Sequence, residues 1–247
     1  MKKPRQSGRG SGRRSRNPRR PREIAILYED EAVVAVNKPA GLAAVPVKDS
    51  DAPSAWSVLA AAMRSRGQRV FVVHRIDRFT SGIVLFAKTE ADRNVLVKQF
   101  LAHTPVRRYL AAVRGYLAEQ EGSLVHYFRR QGMFQKLSTK ADPKAVRAEL
   151  RYEVEQRLRG ASLLRVTLIT GLQNQIRVQF SALGHPVIGD RKYRPEEASE
   201  RRIDRVALHA AHLEFVHPRS GNSLSLDCPP PSDFQSLVRG LSAPPRQ

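Results

Sequence analysis

A polar segment between two apolar runs carries the residues best suited to chemistry. The segment reads HRIDRFTSG, and the flanking runs, Phe71–Val73 and Ile83–Ala87, are predicted to be buried strands. Within it, Asp77 stands between Arg75 and Arg78. Because neighbouring positive charges lower the pKa of a carboxyl group, Asp77 is predicted to stay ionised and to suit a nucleophile or a base that needs no metal. A structural ion pair is the alternative, since such networks perturb carboxylates in the same way.

The residues that follow Asp77 predict how it is positioned. Gly82 permits the positive φ of a tight connection, and the hydroxyls of Thr80 and Ser81 can hydrogen bond to nearby backbone groups. The polar segment is therefore expected to leave one strand and turn into the next. This would place Asp77 at a strand end.

The composition indicates a folded domain preceded by a basic tail. With 247 residues and 41% hydrophobic content, the chain can bury a sizeable core. Residues 1–22 contain ten Lys or Arg and no acid, and the rest has 33 basic against 23 acidic residues. Because the tail has no Leu, Ile, Val, Phe or Trp to bury, we expect it to be disordered and residues 23–247 to form one domain. The formal net charge of +20 favours a polyanionic partner, and nucleic acid fits better than a membrane.

Other features limit the compartment and the metal chemistry. Cys228 is the only cysteine, which excludes an intramolecular disulfide and suits a reducing compartment. No apolar run approaches the ~20 residues of a membrane helix, and no secretory signal follows the basic start, so a cytoplasmic protein is expected. His209 and His212 lie three apart on a predicted strand and would point to opposite faces. No metal site is therefore expected.

The order of patterns predicts an α+β fold with a largely antiparallel mixed sheet and flanking helices. Apolar and charged residues alternate from Val146 to Glu155, as in a half-buried antiparallel strand. A long basic loop is predicted over Arg129–Pro143. The other predicted elements are strands at Ile24–Tyr28, Ala32–Asn37, Arg107–Val113, Ser123–Phe128, Leu163–Thr170 and Val206–Val216, and helices at Trp56–Met63, after Thr89, at Gln173–Leu183 and at Asp233–Leu241.

Several segments resemble the RluA-type pseudouridine synthases. HRIDRFTSG, followed by an apolar strand and AK, is similar to the active-site signature of that family, and the other similar segments occur in the same order. They are Ile26–Leu42, Arg108–Gly115, Thr170–Tyr193 and Ala207–Pro218. The resemblance covers roughly Ile24 to Pro229. It implies the pseudouridine synthase fold and an RNA-modifying isomerase that uses neither metal nor cofactor.

The resemblance also implies roles for individual residues. Asp77 would be the catalytic carboxylate, and Arg75 would fill the position vacated by a target nucleotide that leaves its stack. Tyr109 would contact the target base, although without the resemblance an ordinary strand aromatic with a solvated hydroxyl is the preferred interpretation. Arg177 would pair with Asp77 and hold it ionised, and Ile176 would line the same pocket.

One segment departs from the family pattern. Many members read Gly-Arg-Thr-His-Gln-Ile-Arg where this chain has Gly171-Leu172-Gln173-Asn174-Gln175-Ile176-Arg177. Leu172 thus removes an arginine that the resemblance would place near the substrate. Because Arg177 is retained, an active enzyme is still expected.

The sequence predicts a monomeric RNA pseudouridine synthase that isomerises specific uridines in ribosomal or transfer RNA. Whether Asp77 attacks the sugar, attacks the base or abstracts a ribose proton is left open by the residues. A non-catalytic RNA-binding or ribosome-assembly factor on the same scaffold is the second hypothesis, favoured by the basic tail and Leu172. A metal-free glycosidase or nucleoside hydrolase is a third, but it would need a pair of carboxylates and the motif supplies one.

Overall fold

One mixed sheet organises the part of the chain that the computed structural model describes, residues 24–132, 134–193 and 202–242. Within these residues the sheet has eleven strands. They are β1 (Ala25–Glu29), β2 (Val33–Lys38), β3 (Phe71–Val72), β4 (Ser81–Ala87), β5 (Val106–Arg114), β6 (Glu121–Gln131), β7 (Phe134–Ser138), β8 (Val146–Leu158), β9 (Ala161–Leu168), β10 (Leu208–Val216) and β11 (Ser223–Asp227). The helices are α1 (Ala55–Arg64), α2 (Glu90–Leu101), α3 (Gln175–Ala182) and α4 (Ser232–Ser242).

The strand order is β1-β2-β4-β10-β5-β9-β8-β6-β7, with β11 paired to β10 and β3 paired to β4. Every pairing is antiparallel except that between β4 and β10. At this parallel pairing Gly82 has φ +111°, and a Cβ there would lie 2.1 Å from the carbonyl oxygen of Ala210. The prediction of a positive φ at Gly82 is confirmed. The close approach of β10 gives a second reason for a glycine.

The alternating pattern of β8 produces the expected half-buried strand. Ala148, Leu150, Tyr152 and Val154 are buried, and the charged residues between them face outward or lie half-buried. Leu150, Tyr152 and Val154 belong to the larger of the hydrophobic cores, which also contains residues of α1, β5, β9 and α4, whereas Ala148 packs in a small cluster with Phe128 and Val178. A second core packs α2 and β11 against β2, β4 and β10.

Two elements differ from the sequence prediction. The predicted basic loop over Arg129–Pro143 is largely a hairpin, because β6 continues to Gln131 and pairs with β7 from Tyr127 opposite Ser138 onward. The strand β7 lies at the edge of the sheet, where polar residues can be exposed. Its sequence therefore lacks a clear strand pattern. The strand β11, with Leu224 and Leu226 alternating with polar residues, was not predicted.

No helix among the described residues has the length and apolar character to cross a membrane.

Candidate active site

A cavity of about 450 Å³ brings together most of the residues expected at the active site. Arg75 and Asp77 lie in the segment between β3 and β4, Tyr109 on β5, and Ile176 in the first turn of α3. Most other lining residues come from the same segment, from the end of α2 and from the loop before α3, including His74, Phe100, Leu101, Gly171, Leu172 and Asn174, and the sheet adds Arg107, Leu168 and Leu208. Arg177 lies outside the cavity wall and is buried behind it.

The Asp77 segment is held by hydrogen bonds at both of its ends. Thr80 N–H donates to the carbonyl of Asp77 at 3.1 Å and closes a turn. Gly41 N–H donates to the carbonyl of Arg78 at 2.8 Å, and the Arg78 Nε donates back to the carbonyl of Gly41 at 2.9 Å. On the other side, His74 Nε2 accepts a hydrogen bond of 3.0 Å from Leu85 N–H. These contacts fix the backbone around Asp77 against the loop after β2 and against β4.

Lys38 also supports this segment, a role that no pattern in the sequence predicted. Its side chain is fully buried, and Nζ donates to the carbonyls of Pro39 at 3.0 Å, Leu42 at 2.8 Å and Arg78 at 3.2 Å. Three acceptors occupy the three donors of an ammonium group. Burial lowers the pKa of Lys38 to about 7, and the negative charge of Asp77 acts in the opposite direction.

Burial has a larger effect on the pKa of the half-buried Asp77 than the nearby positive charges have. Desolvation raises the pKa of its carboxyl group above the ordinary value. The charges of Arg177, Arg75 and Lys192 lower that pKa, as does a hydrogen bond from the backbone N–H of Asn174, but together they do not reverse the effect of burial. The expectation of a low pKa from the flanking arginines is therefore wrong. A carboxyl group with a raised pKa is a stronger base once it ionises.

The structure gives Arg177 a different hydrogen-bond partner from the expected Asp77. Its Nε and Nη2 each donate to a carboxylate oxygen of Asp190 at 2.7 Å, and its Nη1 donates to the Asn174 side-chain oxygen at 2.8 Å. Both members of the ion pair are buried. Arg177 affects Asp77 by its charge through space and by ordering Asn174. The partner was missed because Asp190 lies in a loop 13 residues further along the chain.

Tyr109 and Ile176 form apolar walls of the cavity. Tyr109 is 9% exposed on β5, and burial raises the pKa of its hydroxyl to about 12, so that the hydroxyl stays protonated at neutral pH. Its aromatic ring is therefore the part suited to contact a base. Ile176 is 4% exposed and contributes a branched aliphatic side chain. Arg75 lines the cavity and is exposed to solvent there.

The two histidines considered as metal ligands make ordinary hydrogen bonds. His209 is buried, with Nδ1 2.9 Å from the Ser81 hydroxyl and Nε2 2.9 Å from the carbonyl of Cys228. His212 instead pairs with the carboxylate of Asp227 at 2.8 Å. In the described part of the chain, no group of three or more His, Cys, Asp or Glu is placed to hold a metal ion.

Known proteins with similar sequences and folds are RNA pseudouridine synthases. Residues 32–182 match the family described as RNA pseudouridylate synthase. The chain is 34% identical over 230 residues to the ribosomal large subunit pseudouridine synthase D of Zymomonas mobilis, covering 88% of this chain and 73% of that protein. It is 37% identical over 205 residues to the dual-specificity RNA pseudouridine synthase RluA of Vibrio cholerae, covering 83% and 82%. The solved structure of human RNA pseudouridylate synthase domain containing 4 superposes with a TM-score of 0.73, 21% identity, and coverage of 88% and 92%.

These similarities confirm the resemblance noted in the sequence and the α+β fold class that it implied. They also support an enzyme rather than a non-catalytic RNA-binding factor, because the relatives are named as synthases and the similarity covers most of their length. The chain therefore belongs to the RluA-type RNA pseudouridine synthases, isomerases that convert uridine to pseudouridine in RNA.

Proposed function

We propose that this enzyme modifies specific uridines of ribosomal or transfer RNA and that Asp77 is its catalytic carboxylate. The observation that carries the proposal is the position of Asp77 in a cavity walled by Tyr109 and Ile176. The names of the relatives support the substrate class: one is a ribosomal large subunit synthase and another has dual specificity. The volume of about 450 Å³ lies in the range of small-molecule sites and suits a single extruded nucleotide.

The isomerisation needs no external group. The bond between N1 of uracil and C1′ of ribose breaks, the base turns, and C5 joins C1′; C5 loses one proton and N1 gains one. Asp77 has the chemistry for two roles here, as a nucleophile or as a base that accepts a proton. The raised pKa of its carboxyl group favours proton transfer, because a base works best when its pKa is near the working pH.

The remaining site residues have supporting roles in this proposal. The ring of Tyr109 packs on the target base and Ile176 closes the other side of the pocket. Arg75, which is exposed at the cavity, occupies the place in the RNA that the base leaves. Arg177 is a positioning residue, since it holds the side chain of Asn174, and both its own charge and the backbone of Asn174 lower the pKa of Asp77.

Electrostatics supports RNA binding by the whole chain. Residues 1–22, which lie outside the described residues, contribute ten basic side chains, and residues 23–247 form the proposed catalytic domain.

We propose a cytoplasmic monomer. Light scattering of the purified protein with and without RNA tests the monomeric state, and a dimer mass would contradict it.

The experiment that tests the proposed function is pseudouridine mapping in total RNA from cells that lack the gene. One or a few sites should be lost, and the wild-type gene should restore them while a gene carrying Asp77→Asn should not. If no site in ribosomal or transfer RNA is lost, the proposed substrate class is wrong. If the Asp77→Asn gene restores the sites, Asp77 is not the catalytic carboxylate.

A further inference from the structure

Arg107 is a buried cation in the wall of the same cavity. It is 9% exposed and stands two residues before Tyr109 on β5, so both side chains lie on one face of the sheet. Both line the cavity together with Asp77. Arg107 thus faces the place where the nucleotide would bind.

The guanidinium of Arg107 has few partners within the described residues. Its Nη2 makes two long hydrogen bonds, 3.5 Å to the carbonyl of Leu168 and 3.3 Å to that of Ile169. Its Nε is buried and has no hydrogen-bond partner, and no carboxylate among residues 24–132, 134–193 and 202–242 forms an ion pair with it. Because a buried charge without a counter-charge is costly, the protein keeps an unfavourable arrangement here. A ligand that brings negative charge would relieve it.

Gly171 shows that space is kept for this guanidinium. A Cβ at Gly171 would lie 2.5 Å from the Nη1 of Arg107, far inside ordinary contact distance. Gly171 does not have the positive φ that would itself require glycine. The missing side chain is therefore explained by the close approach of Arg107.

Tyr109 lies within electrostatic reach of both charged groups. The charge of Arg107 lowers the pKa of the Tyr109 hydroxyl and that of Asp77 raises it. Arg107, Tyr109 and Asp77 line one cavity, so a ligand there can meet a cation, an aromatic ring and a carboxyl group. A nucleotide whose base packs on Tyr109 can present its ribose to Asp77 and a phosphate to Arg107.

We propose that Arg107 binds a backbone phosphate next to the target uridine and that Gly171 leaves the room that its guanidinium needs. This inference rests on the proposed function, since it assigns the phosphate contact of the same site. Phosphate is the natural ligand because it carries a full charge and accepts two parallel hydrogen bonds from one guanidinium. A uracil carbonyl would leave the charge of Arg107 unbalanced.

The test uses a stem–loop RNA whose loop holds one uridine, made with a normal backbone or with a neutral methylphosphonate at the linkage on either side. Binding is titrated across salt concentrations for the wild type and for Arg107→Gln, with Arg108→Gln as the matched control. Arg108 is the next residue of β5, is half-buried and points to the opposite face. All three proteins are also melted and assayed for pseudouridine.

We expect Arg107→Gln to weaken binding roughly 10- to 100-fold, as for a lost hydrogen bond to a charged group. The slope of log K against log salt should change by roughly 0.7, the value for one phosphate contact on a single strand. One of the two methylphosphonates should weaken RNA binding by the wild type by a similar factor. It should not weaken binding by Arg107→Gln any further. The melting temperature of Arg107→Gln should not fall, because an unpaired buried charge has been removed.

Gly171→Ala gives an independent variant. The methyl group displaces only the end of a flexible side chain, so the protein should keep its melting temperature while binding weakens as in Arg107→Gln. Combining the two substitutions should add little.

The inference is overturned if Arg107→Gln binds with wild-type affinity and slope, or if neither methylphosphonate is coupled to Arg107. If Arg107→Gln lowers the melting temperature and a methylphosphonate still weakens its binding as much as that of the wild type, Arg107 has a structural role. If the wild type shows the coupling yet forms no pseudouridine in any RNA, the phosphate contact stands and the proposed function fails.

Discussion

Arg177 donates two hydrogen bonds of 2.7 Å to the two carboxylate oxygens of Asp190, and both side chains are buried. The same Asp190 carboxylate accepts hydrogen bonds from the backbone N–H groups of Lys192 at 2.9 Å and Tyr193 at 3.2 Å. The pair thus joins α3 to the loop after Ile188. Through Asn174 it also reaches the segment that faces Asp77. Arg177 therefore acts on the carboxyl group of Asp77 indirectly, by its charge and through Asn174.

Arg177→Met is expected to lower the free energy of unfolding by about 3–5 kcal/mol, because it leaves the buried Asp190 carboxylate without its counter-charge. Asp190→Asn should cost a similar amount for the converse reason. Urea unfolding measures both. A surface control is Arg165→Met, whose pairs with Glu153 and Glu155 are partly exposed and should be worth about 0–1 kcal/mol. Equal, small losses for all three variants would mean that the Arg177 pair does not hold α3.

Asp77→Asn is expected to abolish pseudouridine formation without unfolding the protein. The amide keeps the shape of the side chain but can act neither as a nucleophilic carboxylate nor as a base. Single-turnover conversion of RNA labelled in its uracil measures the chemistry, and a melting curve controls for folding. Activity within tenfold of the wild type would remove Asp77 from the mechanism.

The same variant should reveal the raised pKa of Asp77 through stability. The folded protein holds this proton more tightly than the unfolded chain, so the stabilising effect of the protonated group is complete below the unfolded pKa of about 3.9 and is lost as the pH rises through the folded pKa. Asp77→Asn should therefore melt at or above the wild-type temperature at neutral pH, and the difference should shrink towards pH 4. A difference that grows as the pH falls would have the wrong sign.

Tyr109→Phe and Tyr109→Ala should separate the ring of Tyr109 from its hydroxyl. With its pKa raised to about 12, the hydroxyl is neutral, so its removal should cost little stability and modest activity. Loss of the ring should lower kcat/KM by roughly 10- to 100-fold, the worth of one base–aromatic contact. Steady-state kinetics on a stem–loop RNA compares the two variants. Equal losses would place the function in the hydroxyl instead.

Lys38→Met is expected to destabilise the protein by about 2–4 kcal/mol, because it leaves the carbonyls of Pro39, Leu42 and Arg78 buried without a donor. Activity should fall as well, since Arg78 lies next to Asp77 and its backbone is held by Lys38. Lys136→Met, at an exposed position of β7, is the matched control and should be near neutral in urea unfolding. If Lys38→Met matches that control, the loop is held by other contacts.

Local patterns in the sequence predicted those features that depend on local physics. The turn at Gly82 follows from the φ that a glycine permits, and the half-buried strand β8 follows from its alternation. The helix α2 begins after Thr89, whose hydroxyl accepts from Asp92 N–H as the capping signal indicated. The helix α3 begins later than predicted, because Asn174 takes the left-handed conformation with φ 55°.

Contacts between distant segments could not be predicted in the same way. The pKa of Asp77 depends on burial and on the distant Arg177, Asn174 and Lys192, whereas the sequence showed only its two neighbouring arginines. Lys38 donates to the carbonyl of Arg78, which lies 40 residues further along the chain, and neither residue type predicts the contact. The partner of Arg177 and the approach of Arg107 to Gly171 are of the same kind. Each depends on how the sheet assembles.

Deletion of Met1–Arg22 is expected to weaken RNA binding and to flatten its dependence on salt. Its ten basic side chains and lack of apolar residues suit contacts with phosphates that read no sequence. Each phosphate contact contributes roughly −0.7 to the slope of log K against log salt, so the loss of three contacts would change the slope by about two. Turnover at saturating enzyme should survive, because Asp77, Tyr109 and Arg177 all lie in the folded domain. A titration across salt concentrations, paired with that turnover measurement, separates binding from chemistry: an unchanged slope would show that the tail does not contact RNA, and a loss of turnover at saturation would show that it helps to form the active complex.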